Sequence, residues 1–190
     1  MPRGVGPSRI ATWAATAQRL AADDSTCDLS LIVAYSTWEA LRTRTLAVAL
    51  NRQGYSMKVA HEFLGSGELN DRIPVKNLAP IILGRDPHQL PGAGKNWRNL
   101  DKWERHRNGL VHGLSTYSPT RLREGTLQIT TLIINPAWLD TIEVPVTLGV
   151  VAAKTIPLGQ VLASQRRKVR CDQSADNLAN TIRGLRKKGR

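Results

Sequence analysis

Cysteine and phenylalanine are scarce in this sequence. Its 190 residues include two Cys and one Phe, and aromatic residues make up only 5% of the chain. Cys27 and Cys171 can form at most one disulfide, which excludes a disulfide scaffold. Both lie far in sequence from any histidine, so the spacing gives no sign of a zinc site. We expect buried or incidental thiols and no bound metal.

Long apolar runs are also absent. No stretch approaches the roughly 20 residues that a membrane-spanning helix needs. Arg3 and Arg9 are not followed by the apolar segment of a secretory signal. The sequence contains no internal repeat and no glycine loop of the phosphate-binding type. These absences predict a cytoplasmic protein with no membrane partner.

Basic residues are abundant and unevenly distributed. The net charge is +12, with 17 Lys and Arg against 13 acids in residues 1–150 and 10 against 2 in residues 151–190. We therefore expect a main domain over 1–150 and a basic helical extension over 151–190. A strongly basic chain favours a polyanionic partner, RNA or DNA before a membrane. The alternative is a solvated basic tail. The candidate RNA-binding residues of the extension are Arg166, Arg167, Lys168 and Arg170.

Apolar spacing predicts a mainly α fold. Helices are expected over about 8–23, 28–53 and 56–64, and the second has the strongest periodicity. In the first, Trp13, Ala14 and Ala17 are expected on one buried face. Residues 65–96 contain nine Gly or Pro in 32 positions, which predicts a long irregular loop. Asp23 begins a polar cluster that indicates a turn.

The C-terminal half is harder to interpret. Pro119 suits the first position of a helix, but Gly125 and the β-branched residues after it weaken a helical prediction for residues 120–134 and leave it ambiguous. A helical bundle would favour a helix there. The alternating pattern of 141–151 predicts a short strand or hairpin. Two basic helices are expected over 158–170 and 176–188.

The segment from Asn99 to Leu114 combines polar and apolar periodicity. Asn99 is a candidate helix cap. At about 100° per residue, one face is polar and the opposite face is apolar. The polar face comprises Asp101, Arg105, Asn108 and His112, and the apolar face comprises Leu100, Trp103, Leu110, Val111 and Leu114. Arg107 lies within the apolar face. Because a guanidinium stays charged, Arg107 must pair with an acid such as Glu39 or Glu104, extend to solvent, or face a polar cleft or partner chain.

The sequence R-N-G-L-V-H-G at 107–113 resembles the signature of HEPN domains, in which an Arg is followed by a polar residue and, four to six positions on, by a His. Arg107, Asn108 and His112 match these positions. Six residues separate Arg105 from His112, but only Arg107 is followed directly by the polar residue of the signature, Asn108, so we retain Arg105 as a candidate RNA-binding residue.

A second segment adds to this resemblance. Y-S-T-W-E-A-L at 35–41 is similar to the aromatic–Glu–x–Leu pattern in the long second helix of many HEPN bundles. Glu39 would then face Arg107 across the bundle. The alternative is that Glu39 is a surface acid that pairs with Arg42 on its own helix.

The HEPN resemblance implies a small helical bundle that is often a homodimer and, in many members, a ribonuclease without metal or other cofactor. RNA cleavage would proceed by attack of the 2′-OH and leave a 2′,3′-cyclic phosphate. His112 would transfer protons, Arg107 would bind the scissile phosphate, Asn108 would orient the site and Glu39 would hold Arg107. A toxin or phage-defence setting follows from the family, with an antitoxin or a regulatory protein as partner.

The sequence departs from one HEPN subgroup. Nucleotidyl-acceptor members have a Tyr two residues after the His, and here that position is Leu114, whereas Tyr117 lies too far along. Two other functions stay open. Some HEPN domains are non-catalytic modules that bind RNA or a protein, and the basic extension alone would also suit a DNA-binding protein.

Overall fold

The structure is a computed structural model that describes residues 7–52, 55–65 and 94–134, together with residues 178 and 180, which are helical. These residues form α-helices with one short 3-10 turn at Asp24–Thr26 and no strand. The helices are α1 (Pro7–Leu20), α2 (Cys27–Arg52), α3 (Met57–Gly65), α4 (Gly94–Val111) and α5 (Pro119–Ile134). The mainly α fold predicted from the sequence is confirmed.

The chain divides into two compact units. The first comprises Met1–Arg42 and Leu90–Trp138, and the second comprises Thr43–Gln89 and Leu139–Arg190. The expected domain boundary at 150 lies outside the described residues. So do the hairpin expected over 141–151, nearly all of the two basic helices, and residues 66–93 of the expected loop.

In the first unit, α1 packs against α5 through small side chains. Ala14 and Ala17 are fully buried, and Gln18 Nε2 donates a hydrogen bond of 3.3 Å to Thr130 Oγ1. Trp13 was expected on the same buried face, but it is 39% exposed. The expectation was wrong because the alanines let the helices approach closely, so the bulky neighbour stays at the rim. Asp23 accepts from the backbone N–H of Ser25 at 2.8 Å, as the predicted turn requires.

Helix α2 supplies much of the core of the first unit. Leu31, Tyr35 and Trp38 are buried at helical spacing, as the apolar periodicity predicted. Cys27, at the start of α2, is a buried free thiol. The Ser30 hydroxyl lies 2.9 Å from the Thr126 hydroxyl and so joins α2 to α5 inside the core.

Helix α4 begins at Gly94, five residues before the expected start. The cap assigned to Asn99 is therefore wrong, because Asn99 lies inside the helix and donates from Nδ2 to Gln128 Oε1 at 2.9 Å. The earlier start has a tertiary cause. Trp97 is buried and meets the ring of Trp38 edge-on, with centroids 4.9 Å apart. That contact stabilises a turn which the Gly-rich local sequence would not form alone.

Residues 119–134, ambiguous in sequence, form helix α5. Pro119 is its first residue, as predicted, and the backbone N–H groups of Arg121 and Leu122 donate to the Ser118 carbonyl. The helix packs closely on Trp103 of α4 at Gly125. A Cβ built there would lie 2.7 Å from Trp103 Cε3. The glycine that weakened the helical prediction is thus the residue that lets this helix pack.

In the second unit, Ser56 caps α3. Its hydroxyl accepts from the backbone N–H of Val59 at 3.2 Å, and Phe63 and Leu64 are buried. The side chain of Asn51 donates to the Tyr55 carbonyl at 2.9 Å across the connection between α2 and α3. None of the described helices is both long enough and apolar enough to span a bilayer.

Candidate functional site

The predicted contact between Arg107 on α4 and Glu39 on α2 is present. Arg107 Nη2 lies 2.6 Å from Glu39 Oε1, and the two side chains are 21% and 35% exposed. Partial burial makes this charge-assisted hydrogen bond stronger than a surface ion pair. Of the two acids that could pair with Arg107, Glu39 makes the contact. This settles the pairing and leaves the catalytic roles of both residues as predictions.

Two further groups hold the Arg107 side chain. Arg107 Nη1 donates to Asn108 Oδ1 at 2.9 Å, and the guanidinium carbon lies 5.0 Å from the centre of the Tyr35 ring. Arg107 Nε is buried and has no acceptor within the described ranges. The guanidinium is therefore fixed in orientation while about a fifth of the side chain stays accessible.

The Tyr35 ring packs against the Arg107 guanidinium and remains a neutral phenol. Burial raises the pKa of Tyr35 well above its ordinary value, and the nearby carboxylate of Glu104 raises it further. The ring presents its face to the Arg107 cation without contributing charge.

His112 lies at the end of α4 rather than inside it. The helix ends at Val111, and Gly113 adopts a left-handed conformation with φ of 64°. Leu114 N donates to Gly109 O at 2.8 Å, and Gly113 N donates to Leu110 O at 3.1 Å. This pair of bonds is the Schellman motif, which places His112 at the C-cap. The imidazole is exposed.

The predicted apolar face of α4 is correct only up to its last turn. Leu100 and Trp103 are buried, whereas Val111 is exposed and Leu114 is 78% exposed. The expectation failed at this end because Gly113 turns the chain away from the core. Arg105 is exposed, as expected for the polar face, and its Nε donates to the carbonyl of Asp101 at 3.3 Å.

His106 was not among the residues predicted from the sequence. It is 7% exposed, and Nδ1 lies 2.8 Å from the Lys102 carbonyl oxygen. Its ring stacks on Tyr117, with centroids 4.2 Å apart and planes 18° apart. Burial lowers the pKa of His106, which favours the neutral imidazole. The available signal was its spacing of three residues from the buried Trp103.

Arg107 and His112 diverge around the axis of α4. In an ideal helix, a residue five positions further on lies about 7.5 Å along the axis. At about 100° per residue, its side chain points about 140° away from that of the first residue. By this spacing, the guanidinium and the imidazole leave α4 in different directions. Arg105, Asn108 and His112 remain on the polar side, and the predicted basic cluster 166–170 lies outside the described residues.

In the described ranges, no group of three His, Cys, Asp or Glu side chains is arranged to hold a metal ion. The chain matches no protein-family model, and comparison with curated proteins and with solved structures gives no match either.

Proposed function

We propose that this protein is an endoribonuclease of the HEPN type that cleaves RNA without a metal ion. The observation that carries the proposal is the guanidinium of Arg107, held by Glu39, Asn108 and Tyr35 and still partly accessible. An exposed imidazole, His112, stands at the end of the same helix. A planar guanidinium binds two phosphate oxygens, and an imidazole exchanges protons near neutral pH.

The proposed reaction uses the RNA's own nucleophile. One His112 imidazole takes the proton of the 2′-OH, whose oxygen forms a bond to phosphorus. Arg107 stabilises the negative charge on the non-bridging oxygens. The bond from phosphorus to the 5′-oxygen breaks, and a second imidazole, already protonated, gives that oxygen its proton. The products are a 2′,3′-cyclic phosphate and a 5′-hydroxyl.

Two copies of the chain are proposed to form the complete site. A single chain supplies one exposed imidazole at this site, so the base and the acid of the reaction would come from two copies. The different directions of Arg107 and His112 on α4 also support a site shared between two copies. A homodimer with a twofold axis would provide two imidazoles and two guanidiniums in one cleft. Arg105 and the basic cluster Arg166, Arg167, Lys168 and Arg170 would add contacts to the RNA backbone. The proposed setting is a cytoplasmic toxin or antiviral defence system with an antitoxin or regulatory protein.

A second function is favoured by one observation. Glu39 neutralises the charge of Arg107, and both terminal nitrogens of the guanidinium already donate hydrogen bonds. A site of this kind also suits a non-catalytic module that binds RNA or a partner protein through the same surface.

Incubation of purified protein with labelled RNA in excess EDTA separates the two functions. We expect cleavage with cyclic-phosphate ends, and none on an RNA whose riboses lack the 2′-OH. His112→Ala should abolish cleavage and leave RNA affinity nearly unchanged. Arg107→Ala should abolish cleavage and also weaken binding. Arg105→Ala is the comparison variant: it removes the same charge from an exposed position two residues away and should reduce cleavage and binding much less than Arg107→Ala.

The outcomes discriminate clearly. RNA binding without cleavage by the wild-type protein would favour the non-catalytic module. Full activity of His112→Ala would refute the ribonuclease mechanism, and a larger loss for Arg105→Ala than for Arg107→Ala would transfer the phosphate-binding role to Arg105. Sedimentation at assay concentration tests the composite site, which an active monomer would contradict.

A further inference from the structure

The chain reverses direction after α4 and runs back along that helix. The return loop, residues 112–118, connects the end of α4 to α5. A Cβ atom at Gly109 would lie 3.0 Å from Tyr117 Oη and 3.1 Å from Ser115 Cβ, so the loop passes directly over this glycine. One turn earlier, the Tyr117 ring stacks on His106. The loop is thus in contact with α4 over its last two turns.

The ring of His106 stacks on Tyr117 in its neutral form. The Lys102 carbonyl can only accept, so Nδ1 carries the proton and Nε2 carries the lone pair. Nε2 is buried and has no partner in the part of the chain that the structure describes. A second proton would place both a charge and an unsatisfied N–H group in this position.

The charged groups around His106 oppose that proton as well. Lys102 and Arg105 on α4 and Arg121 on α5 are all cations, and Tyr117 is the group that faces His106 from the return loop. With burial, these neighbours keep the imidazole neutral, so Tyr117 stacks on an uncharged ring near neutral pH.

We propose that Tyr117 is a positioning residue for His112: its stack on His106 holds the return loop against α4 and so fixes where the His112 imidazole stands. The catalytic part of this inference rests on the proposed ribonuclease function. His112 is the first residue of the loop, and Gly113 next to it has the positive φ that turns the chain out of the helix. Backbone bonds from His112 N to Asn108 O, from Gly113 N to Leu110 O and from Leu114 N to Gly109 O restrain the start of the loop, and the Tyr117 stack restrains its far end.

The full-length protein with Tyr117→Ala tests the inference, with Tyr117→Phe as the variant that keeps the ring and Thr116→Ala as a control in the same loop. Hydrogen exchange of the Leu114 amide reports on the loop, and the NMR signal of the His112 imidazole reports on its environment. We expect about tenfold faster exchange and a shifted or broadened His112 signal in Tyr117→Ala, consistent with the strength of an aromatic pair. Tyr117→Phe and Thr116→Ala should match the wild type.

Cleavage supplies the second readout. In Tyr117→Ala, kcat should fall about tenfold while the Kd for RNA changes little, since the phosphate-binding guanidinium is untouched. His106→Phe, which keeps a stacked ring, should retain both kcat and amide protection. This second variant keeps the test decisive if Tyr117→Ala unfolds, because a mobile loop in His106→Phe, with the fold intact by circular dichroism, would contradict the stacking argument.

Failures of the two proposals can be told apart. An unchanged Leu114 amide and His112 signal in Tyr117→Ala would overturn the positioning role, whatever the enzyme does. A mobile loop with unchanged kcat would also overturn it, while leaving the ribonuclease intact. If the wild type does not cleave RNA but the His112 signal responds to Tyr117→Ala, only the proposed function is refuted.

Discussion

Replacing Gly125 by alanine should destabilise the protein, although the same change within most helices is stabilising. Alanine has a helix propensity more favourable than glycine by about 1 kcal/mol. At Gly125, however, the new methyl group would lie 2.7 Å from Trp103 Cε3 and 2.9 Å from Leu31 Cδ1. Neither distance is tolerated between carbon atoms, so α5 or its neighbours must move.

Trp103 cannot move cheaply. It is fully buried, and its indole N–H donates to Gln128 Oε1 at 3.0 Å, so a shift of the ring would weaken that bond. Overpacking a core by a methyl group costs about 1–3 kcal/mol. Because two large side chains are compressed at once, we place the cost near the upper half of that range. After the gain in propensity, the net loss is about 1–2 kcal/mol.

Urea denaturation followed by circular dichroism measures the free energy of unfolding, and for a chain of this length the loss corresponds to a fall in Tm of about 2–8 °C. Gly65→Ala is the matched control, because no atom of the described residues lies within 4 Å of its Cβ position. Adding Leu31→Ala to Gly125→Ala should cost less than the sum of the single changes. A Gly125→Ala variant more stable than the wild type would refute the close packing of α5 on Trp103.

Two further predictions concern charge. Burial lowers the pKa of His106, so the unfolded chain binds a proton at this residue before the folded chain does as the pH falls through the ordinary value of about 6.5. The free energy of unfolding should therefore be unaffected by His106 above that pH. Below it, the free energy of unfolding should fall by at most about 1.4 kcal/mol per pH unit. Urea midpoints measured across this pH range follow the decline, and His106→Phe should remove it. An equal dependence of the midpoint on pH in both proteins would exclude His106 as its source. Glu39→Ala should cost about 1–3 kcal/mol, because it leaves the partly buried Arg107 cation without its carboxylate. Glu62→Ala, which removes an exposed pair at 3.8 Å from Lys58, should cost at most about 0.5 kcal/mol, and equal losses would show that partial burial adds nothing to the Glu39 pair.

Several features of this protein were determined by the sequence alone, because their signals are local. Apolar residues at helical spacing over a long stretch predicted α2, and Pro119 marked the start of α5. Arg107 lies among apolar residues, so its charge required an acidic partner. Glu39, one of the two acids predicted, pairs with it. The two helix signals and the need of Arg107 for an acid follow from helical spacing or from a single residue's chemistry. None of the three needs knowledge of distant packing.

Other features were decided only by tertiary structure. Residues 120–134, ambiguous in sequence, form a helix in which Gly125 packs against Trp103, a contact that local sequence does not reveal. The early start of α4 depended on Trp97 meeting Trp38. The burial of His106 and the exposure of His112 depended on the return loop, which covers one imidazole and leaves the other in solvent. The spacing of His106 from Trp103 indicates the side of α4 on which it lies, but its stack with Tyr117 exists only because the return loop packs over it.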